Sequence, residues 1–593
     1  MPRFESLLHV ALIVLVGFGY RATFIGQGFD ATDEGWLESV ARRITLGQVP
    51  YRDFRFAFPP VSIYKEAALQ AVFRDGYTLL FARWVFVAEV TLGTVLAYLI
   101  VSRFVNPRLA LLATVPTAFV TVLSYYFTNY TYDADILMLV SAALLAWTPP
   151  TKRWPAAAAG VAACLAGLAK PPYLAFVLMV PMLALAMRLL APERGAHHAL
   201  VGVYTRWRSF LVAAAVTFLG VLALLAVAGA GRAYIEQAFL ESAQTGGHPL
   251  TYLIWQDLPD VFAPRELKLF AAVAALLVAA ALPWFRRVSW LLVLAVPVGL
   301  FAYWVRYVHG GTGFLPMATG LVLVINLVAL GIALAARAPW WTSSANAAQL
   351  RNRLPAPELV LLALALQYLA QFTLTGVAYS YLGTYLSVPV AVLLLYGLFD
   401  AKQAAPRAES MRSPSAIAAA LIAAWTIVGS VAYVSDHVYF DAPRSRLTAT
   451  FTTPKLAGIT SNPANVARID SLVAMINRYS RPGDPILAMP DFGCIYYLTD
   501  RTNPTRQDWF LDSDPRFLPP SEIDAVIRDL QRDPPKVVLL ETYSEFDWSR
   551  EVRPDYVFDY PSSPLAPIYF YLIQHYRVAD LAGDIQVLVP QTG

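Results

Sequence analysis

Asp30, Asp33 and Glu34 crowd into the stretch GFDATDEGWLESVARRITLGQVPYRDFRFAFPP, residues 28–60. A carboxylate so placed can take a proton from a hydroxyl group, acting as a general base. A second acidic pair, Asp133 and Asp135, lies in YYFTNYTYDADILMLV. Cations recur in other short segments: Lys170 opens KPPY, and Arg306 and His309 lie in YWVRYVHGGTGF. Lysine meets a phosphate as a point charge and arginine as a planar fork. A phosphate that is already anionic leaves without an acid partner. Base, cations and such a leaving group together are what sugar transfer from a lipid phosphate requires.

The elements that must position these residues are apolar. Of 593 residues, 57% are hydrophobic and 15% charged, whereas soluble chains carry about a quarter charged residues. The apolar residues fall in long blocks rather than helix-period stripes, the pattern of membrane spans. Spans are expected near 6–26, 79–101, 109–127, 134–148, 155–169, 173–190, 209–230, 269–284, 288–305, 314–335, 357–373, 381–399 and 415–434, about 13 in all. The first has no small-residue cleavage site after it and reads as a retained span. With the N-terminus inside, Arg103, Arg108, TKRW, RWR, FRR, RNR and the Lys402/Arg407/Arg412 group all fall in cytoplasmic loops. The acids and cations above then share the opposite face. Charges at such depth usually face a cavity and mark a substrate path. The net charge of +4 is small and sorted by side, so it gives no support to nucleic-acid binding. Cys164 and Cys494 lie in very different segments, which argues against a disulfide framework or a cysteine metal site.

The fold expected is a polytopic α-helical membrane protein with a C-terminal extracytoplasmic α/β domain. Residues 1–434 form the transmembrane part, with an ordered external loop over 28–78, and 435–593 the external domain. In the latter, DPILAMP, KVVLLE and IQVLVP read as strands, and 464–480 and 521–532 as helices, the second opened by the capping signature SEID. In the first external loop Leu37, Val40, Ala41 and Ile44 share one helix face, with Arg42 and Arg43 off it. This predicts a short helix lying flat on the outer membrane surface, with Asp33 and Glu34 at its N-terminus. Pro59 and Pro60 open a second helix, VSIYKEAALQAVF. Read locally, each charge also has a structural explanation: a helix cap for the acids, a span-end anchor for Lys170 and Arg306.

DEGWLESVARRITLGQVPYRDF, with its acidic pair, Ala-Arg and following Pro-Pro, resembles the first loop of GT-C glycosyltransferases. The types it looks most like are protein O-mannosyltransferases and bacterial aminoarabinose or lipopolysaccharide-sugar transferases. TYDAD and GLAKPPYLAF resemble further elements of the same enzymes. The resemblance implies an inverting transfer of one sugar from a polyprenyl-phosphate donor to a hydroxyl of a glycan, lipid or protein, on the outer face of the bacterial cytoplasmic membrane. It implies Asp33 as catalytic base, with Glu34 orienting it or the acceptor; Asp30, three residues earlier, also suits the base position. Asp133 or Asp135 would contact the acceptor or a divalent ion, and Lys170, with Arg306 and His309, the donor phosphate. DFGCIYYLTDRTNPTR resembles C-terminal segments of bacterial members, making Tyr497, Arg501 and Arg506 candidate acceptor contacts. The chemistry requires no cofactor; a metal at Asp33 and Asp135 would be magnesium or manganese, given hard oxygen ligands. APWW is followed by Thr342 and not by the Asp of the oligosaccharyltransferase WWD motif, which argues against transfer of a whole oligosaccharide to asparagine.

The alternative from another class is a secondary transporter or flippase for a lipid-linked or anionic substrate. It predicts inverted repeats and spans broken at mid-membrane. Neither pattern is evident, and the charges gather at one face. A membrane scaffold whose external domain binds a partner would leave the outer-loop acids dispensable.

Overall fold

The computed structural model describes residues 2–31, 34–119, 129–147, 152–178, 181, 196–241, 441–490, 492–510, 518–541, 560–583 and 585–591, with scattered helical positions between 268 and 434. Helices α1 (Pro2–Ala22), α2 (Trp36–Thr45), α3 (Val61–Phe73), α4 (Leu79–Val101), α5 (Pro107–Thr114), α6 (Tyr130–Trp147), α7 (Arg153–Gly167) and α8 (Ala196–Val227) build the N-terminal part. Among the described residues three helices are long and apolar enough to cross a membrane, within Phe4–Ala22, Leu79–Val101 and Arg206–Val227. Leu8, Leu12 and Leu15 of α1 and Val216, Leu219 and Leu224 of α8 are exposed, the arrangement a bilayer would cover. The spans expected over 288–305, 314–335 and 357–373, with most of 269–284, 381–399 and 415–434, lie outside the described residues, so the count of thirteen is not established.

Local chemistry accounts for the ends of these helices. Thr78 caps α4 by accepting from Phe81 N at 3.1 Å, and Asn106 caps α5 by accepting from Leu109 N at 2.8 Å. Asn129 accepts from Thr131 N at 2.9 Å at the start of α6. Asp133 and Asp135 therefore sit inside α6 and are not its caps.

The C-terminal part is an α/β unit. Its main sheet has the order β3 (Ile486–Met489), β4 (Val537–Glu541), β6 (Ile585–Pro590), β5 (Tyr576–Ala582), with β3 and β4 parallel and the other pairs antiparallel. ILAM and the first four residues of VVLLE are apolar, as both faces of the sheet are covered. Alternate residues divide between two cores. Leu487, Met489, Val538 and Leu540 meet α11 (Ile523–Arg532) and α12 (Ala566–His575). Ile486, Ala488, Val537 and Leu539 meet α9 (Pro463–Tyr479) and α10 (Cys494–Thr499). Helix α9 begins as the pattern Asn-Pro requires: Asn462 accepts from Asn465 N at 3.0 Å, and Pro463 follows at the first helical position. SEID does not cap as expected. A 3₁₀ turn over Pro520–Glu522 leads into α11, with no side-chain cap. Helix α12 and strand β5 were not foreseen.

The second of these cores also contains Phe29 and Ala31 of the first external loop, and Tyr77, Leu79 and Ala82 at the foot of α4. Loop and external unit thus share one apolar interior. Small two-stranded pairing between β1 (Ala449–Thr450) and β2 (Thr460–Ser461) extends into the loop, where Gly28 N donates to Thr460 O at 2.7 Å and Thr460 N to Gly26 O at 2.8 Å. Asp441 accepts from Phe29 N at 2.9 Å, and Asn465 donates to Phe29 O at 3.0 Å.

This docking corrects the expectation for α2. The helix does not lie on a membrane surface: Trp36, Leu37, Glu38, Ser39, Val40, Ala41 and Arg43 are all buried. Its apolar face meets Tyr51, Phe54, Phe56 and Ile63, and its polar face is covered by the segment after α10. Arg43 donates to Asp508 and to Thr505 O, each at 2.9 Å, and Arg42 pairs with Asp500 at 2.6 Å. Nor does Glu34 belong to its first turn, which begins at Trp36. Gly35, at φ +84°, is the residue before the helix, in the left-handed region that a side chain disfavours. A Cβ there would stand 2.8 Å from Cys494 Cβ. Gly35→Ala is therefore expected to destabilise the docked loop by about 1–3 kcal/mol, read as a lowered thermal midpoint in detergent and faster proteolysis of residues 26–60. A midpoint equal to wild type would show that the close approach is not a constraint.

Candidate functional site

The first external loop is held at its acidic end by a buried ion pair. Arg83, one turn into α4 and fully buried, donates from Nε and Nη2 to the two carboxylate oxygens of Glu34, each at 2.7 Å. The same guanidinium donates to Ile25 O at 2.8 Å and Gly28 O at 2.7 Å. Both oxygens of Glu34 are occupied, so this acid positions the loop. Asp30 is buried as well, and Glu34 N donates to Asp30 O at 3.2 Å, closing a turn. Asp33 lies outside the described residues. Cys494, at the start of α10, stands beside Asp30 and Glu34; burial first, then those two charges, hold its thiol well above the usual range.

From Trp36 a chain of aromatic rings runs toward α6. Trp36 stacks on Trp509 of the external unit at 4.3 Å and on Phe56 at 5.9 Å. Phe56 meets Phe58 at 5.7 Å, and Phe58 stacks on Tyr130 at 4.4 Å. The run before Pro59 is fixed from both sides. Tyr51 donates its hydroxyl to Phe58 O at 2.7 Å, while Gln237 accepts from Phe56 N and donates to Tyr51 O, each at 3.1 Å. Gln237 belongs to a π-helical turn, Glu236–Leu240, a local distortion often found where a side chain must be aimed.

The two prolines then start α3, as the sequence predicts, and Val61 N donates to Leu168 O at 3.1 Å. This places the Pro-Pro turn beside the KPPY element. Lys170 Nζ lies 5.6 Å from the Tyr130 ring centroid and donates to Thr131 Oγ1 at 3.0 Å. Lys170 is buried rather than reaching for an interface, so it is not a span-end anchor. Asp135 accepts from the Tyr173 hydroxyl, and its other oxygen is buried without a hydrogen-bond partner. Asp133 turns to α3, where Lys65 Nζ approaches its Oδ1 to 2.5 Å; Asp133 Oδ2 is likewise unpartnered. Lys65 also meets Glu89 Oε1 at 2.7 Å and Glu66 Oε1 at 3.2 Å. Burial works against the Lys65 ammonium, but the Asp133, Glu89 and Glu66 carboxylates outweigh it and raise the group well above its ordinary value. Glu66 accepts from the Tyr77 hydroxyl, and burial, with Glu66 and Glu38 nearby, holds that phenol well above its usual value.

Other candidate residues fall differently. Tyr497 and Arg501 are buried in packing. The Tyr497 hydroxyl donates to Tyr77 O at 2.7 Å and its backbone N–H to Ser39 Oγ at 3.0 Å. Arg501 donates to Ser480 O at 2.7 Å, Ser480 Oγ at 3.1 Å and Thr499 O. Tyr497 thus ties the C-terminal unit to α2 and the foot of α4, whereas Arg501 is bonded within that unit. Arg506 is partly exposed and lies 3.3 Å from Asp529. Arg306 and His309 lie outside the described residues. Among the described residues no group of three or more His, Cys, Asp or Glu side chains is arranged to hold a metal ion. Sequence reasoning passed over Lys65, Arg83 and Glu89. Ionisable residues inside an apolar block, as Arg83 and Glu89 are, were the available signal.

No protein-family model and no curated protein matches the chain. Among solved structures it is similar to the archaeal oligosaccharyltransferase AglB from Archaeoglobus fulgidus, in complex with an inhibitory peptide and a dolichol-phosphate. The TM-score is 0.49 at 12% identity, over 91% of this chain and 70% of that one. It is also similar to ArnT from Cupriavidus metallidurans in the apo state, TM-score 0.39 at 16% identity over 98% and 97% of the two chains. ArnT bound to undecaprenyl phosphate gives 0.41 at 15% identity, over the same 98% and 97%.

Removing one partner of a buried pair leaves an uncompensated charge, which costs about 3–5 kcal/mol. Arg83→Gln and Glu34→Gln should each lose stability on that scale, and the double variant should recover much of the loss. Denaturation of the purified variants measures this; independent, additive effects would break the assignment of Glu34 to Arg83.

Proposed function

We propose that this chain is a membrane glycosyltransferase that moves a single sugar from a polyprenyl-phosphate donor to an acceptor hydroxyl by inverting displacement, on the outer face of a bacterial cytoplasmic membrane. One observation carries the reading. Residues 56–65 of the first external loop touch both the second-loop acid and the lysine element. Lys65 meets Asp133, Phe58 stacks on Tyr130, and Val61 bonds to Leu168 two residues before Lys170. Acids and a cation that are far apart in sequence are thereby gathered at one end of the helices.

In this reading Asp33 or Asp30 takes the proton from the acceptor hydroxyl as its oxygen attacks the anomeric carbon. The bond from that carbon to the phosphate oxygen breaks, and the polyprenyl phosphate leaves with the electron pair. Lys170 offsets the phosphate charge, with Arg306 and His309 as further candidates, and Asp133 or Asp135 receives the acceptor. Glu34 holds the base loop through Arg83 and does not itself react. The fully bonded Glu34 and the largely buried Asp30 favour Asp33 as the base. The aromatic run Trp36–Phe56–Phe58–Tyr130 supports a site built for a sugar or prenyl surface, since rings stack on both.

Purified protein in lipid, given a panel of radiolabelled polyprenyl-phosphate sugars and mixed envelope glycans, should transfer label from at least one donor. Turnover from none of them would favour the transporter reading, in which a labelled lipid crosses the bilayer unchanged. With the active donor, Asp33→Asn should lower kcat by about 100-fold or more at unchanged expression. Full activity in the Asp30→Asn/Asp33→Asn double variant would end the general-base step. Lys170→Ala should raise the donor KM by about 10-fold or more, and an unchanged KM would remove Lys170 from the donor site.

A further inference from the structure

Lys65 has no role in the reaction as written above, yet it joins three helices through one ammonium group. Its Nζ stands 2.5 Å from Asp133 on α6, 2.7 Å from Glu89 on α4 and 3.2 Å from Glu66 on α3. The charges do not balance: one cation faces three carboxylates, two of them, Glu66 and Asp133, buried. A lysine recruited only to neutralise would leave this group strained by like-charge repulsion. The geometry at Asp133 points to a directional role. One carboxylate oxygen rests on Lys65, while the other is buried and has no hydrogen-bond partner. A buried acceptor left open in this way is costly unless something else fills it.

We infer that Lys65 is a positioning residue for Asp133: it fixes the carboxylate's orientation, so that Oδ2 is presented to the acceptor hydroxyl. The inference deepens the reading under Proposed function and rests on it, in that it assigns the acceptor contact to Asp133 rather than Asp135. Asp135 fits less well because its Oδ1 accepts from Tyr173 and it lies on the Lys170 side of α6. The charged and titratable groups around Asp133 are Lys65 and Glu66 from α3, Glu89 from α4, and Asp135 on its own helix; Lys170, after α7, bonds to Thr131, two residues before Asp133. Tyr77 is engaged with Glu66. Removing Lys65 takes away the group that holds Oδ1, so the carboxylate loses its fixed orientation.

The test uses the full-length protein in lipid with the donor that the wild type turns over. Lys65→Met should lower kcat by about 100-fold and leave the donor KM within about 2-fold. Lys65→Arg should restore most of the rate. Lys65→Met and Asp133→Asn combined should be no worse than either alone, as for residues acting as one unit. Lys65→Met/Glu89→Gln keeps the net charge of the cluster and carries the test if the single variant fails to fold. Under the inference it stays slow; recovery of the rate would reduce Lys65 to charge balance and overturn it. Wild-type kcat in Lys65→Met would overturn the inference alone. A wild type that transfers from no donor would overturn the proposed function and this inference with it.

Discussion

The guanidinium of Arg83 is the constraint on which the placement of the first loop depends. It is completely buried within a helix long and apolar enough to cross a membrane, where an unpaired charge would cost several kcal/mol. Its partners come from a loop some fifty to sixty residues earlier: the two oxygens of Glu34 and the carbonyls of Ile25 and Gly28. Satisfying this one cation therefore dictates where the first external loop must run. The turn at Gly35 follows, and after it α2, whose Trp36 begins the aromatic run toward α6.

A loop fixed at one point could still swing, and the external unit prevents that. Phe29 and Ala31 enter the core under the sheet, Arg43 is bound by Asp508 and Thr505, and Arg55 N donates to Arg506 O at 2.8 Å. Several hydrogen bonds to the loop come from residues 441–465 and 494–510, which are distant in sequence but adjacent in space. A catalytic group on a loop needs such support, since a displacement of about 1 Å can cost two orders of magnitude in rate. The C-terminal unit is thus part of the scaffold that holds the first loop.

Much of this was legible in the residues. Periodicity and length found α4 to the residue, α3 after its two prolines, and strands β3, β4 and β6, which are mostly apolar. Strand β5 was missed because YRVADLA is an exposed, polar-rich edge with a bulge between Val578 and Asp580. The error over α2 has a plain cause. Its amphipathic pattern is the same whether the polar face meets water or the arginine partners of another unit. Only tertiary structure distinguishes the two. Likewise Tyr497 and Arg501 have residue types suited to ligand contact, but their bonds run to Tyr77, Ser480 and Thr499.

Division of labour among the acids follows from how each is bonded. Glu34 has both oxygens on Arg83, which removes its freedom to reach a substrate. Asp133 has one oxygen on a cation and one open; Asp135 has one on a phenol and one open. A carboxylate anchored by one oxygen keeps both a defined orientation and a free acceptor, the combination that a contact with a hydroxyl requires. On the proposed reading the protein thus separates holding from reacting. The acid whose two oxygens are engaged shapes the loop, and those with an open oxygen face the place where a substrate would supply the missing hydrogen bond.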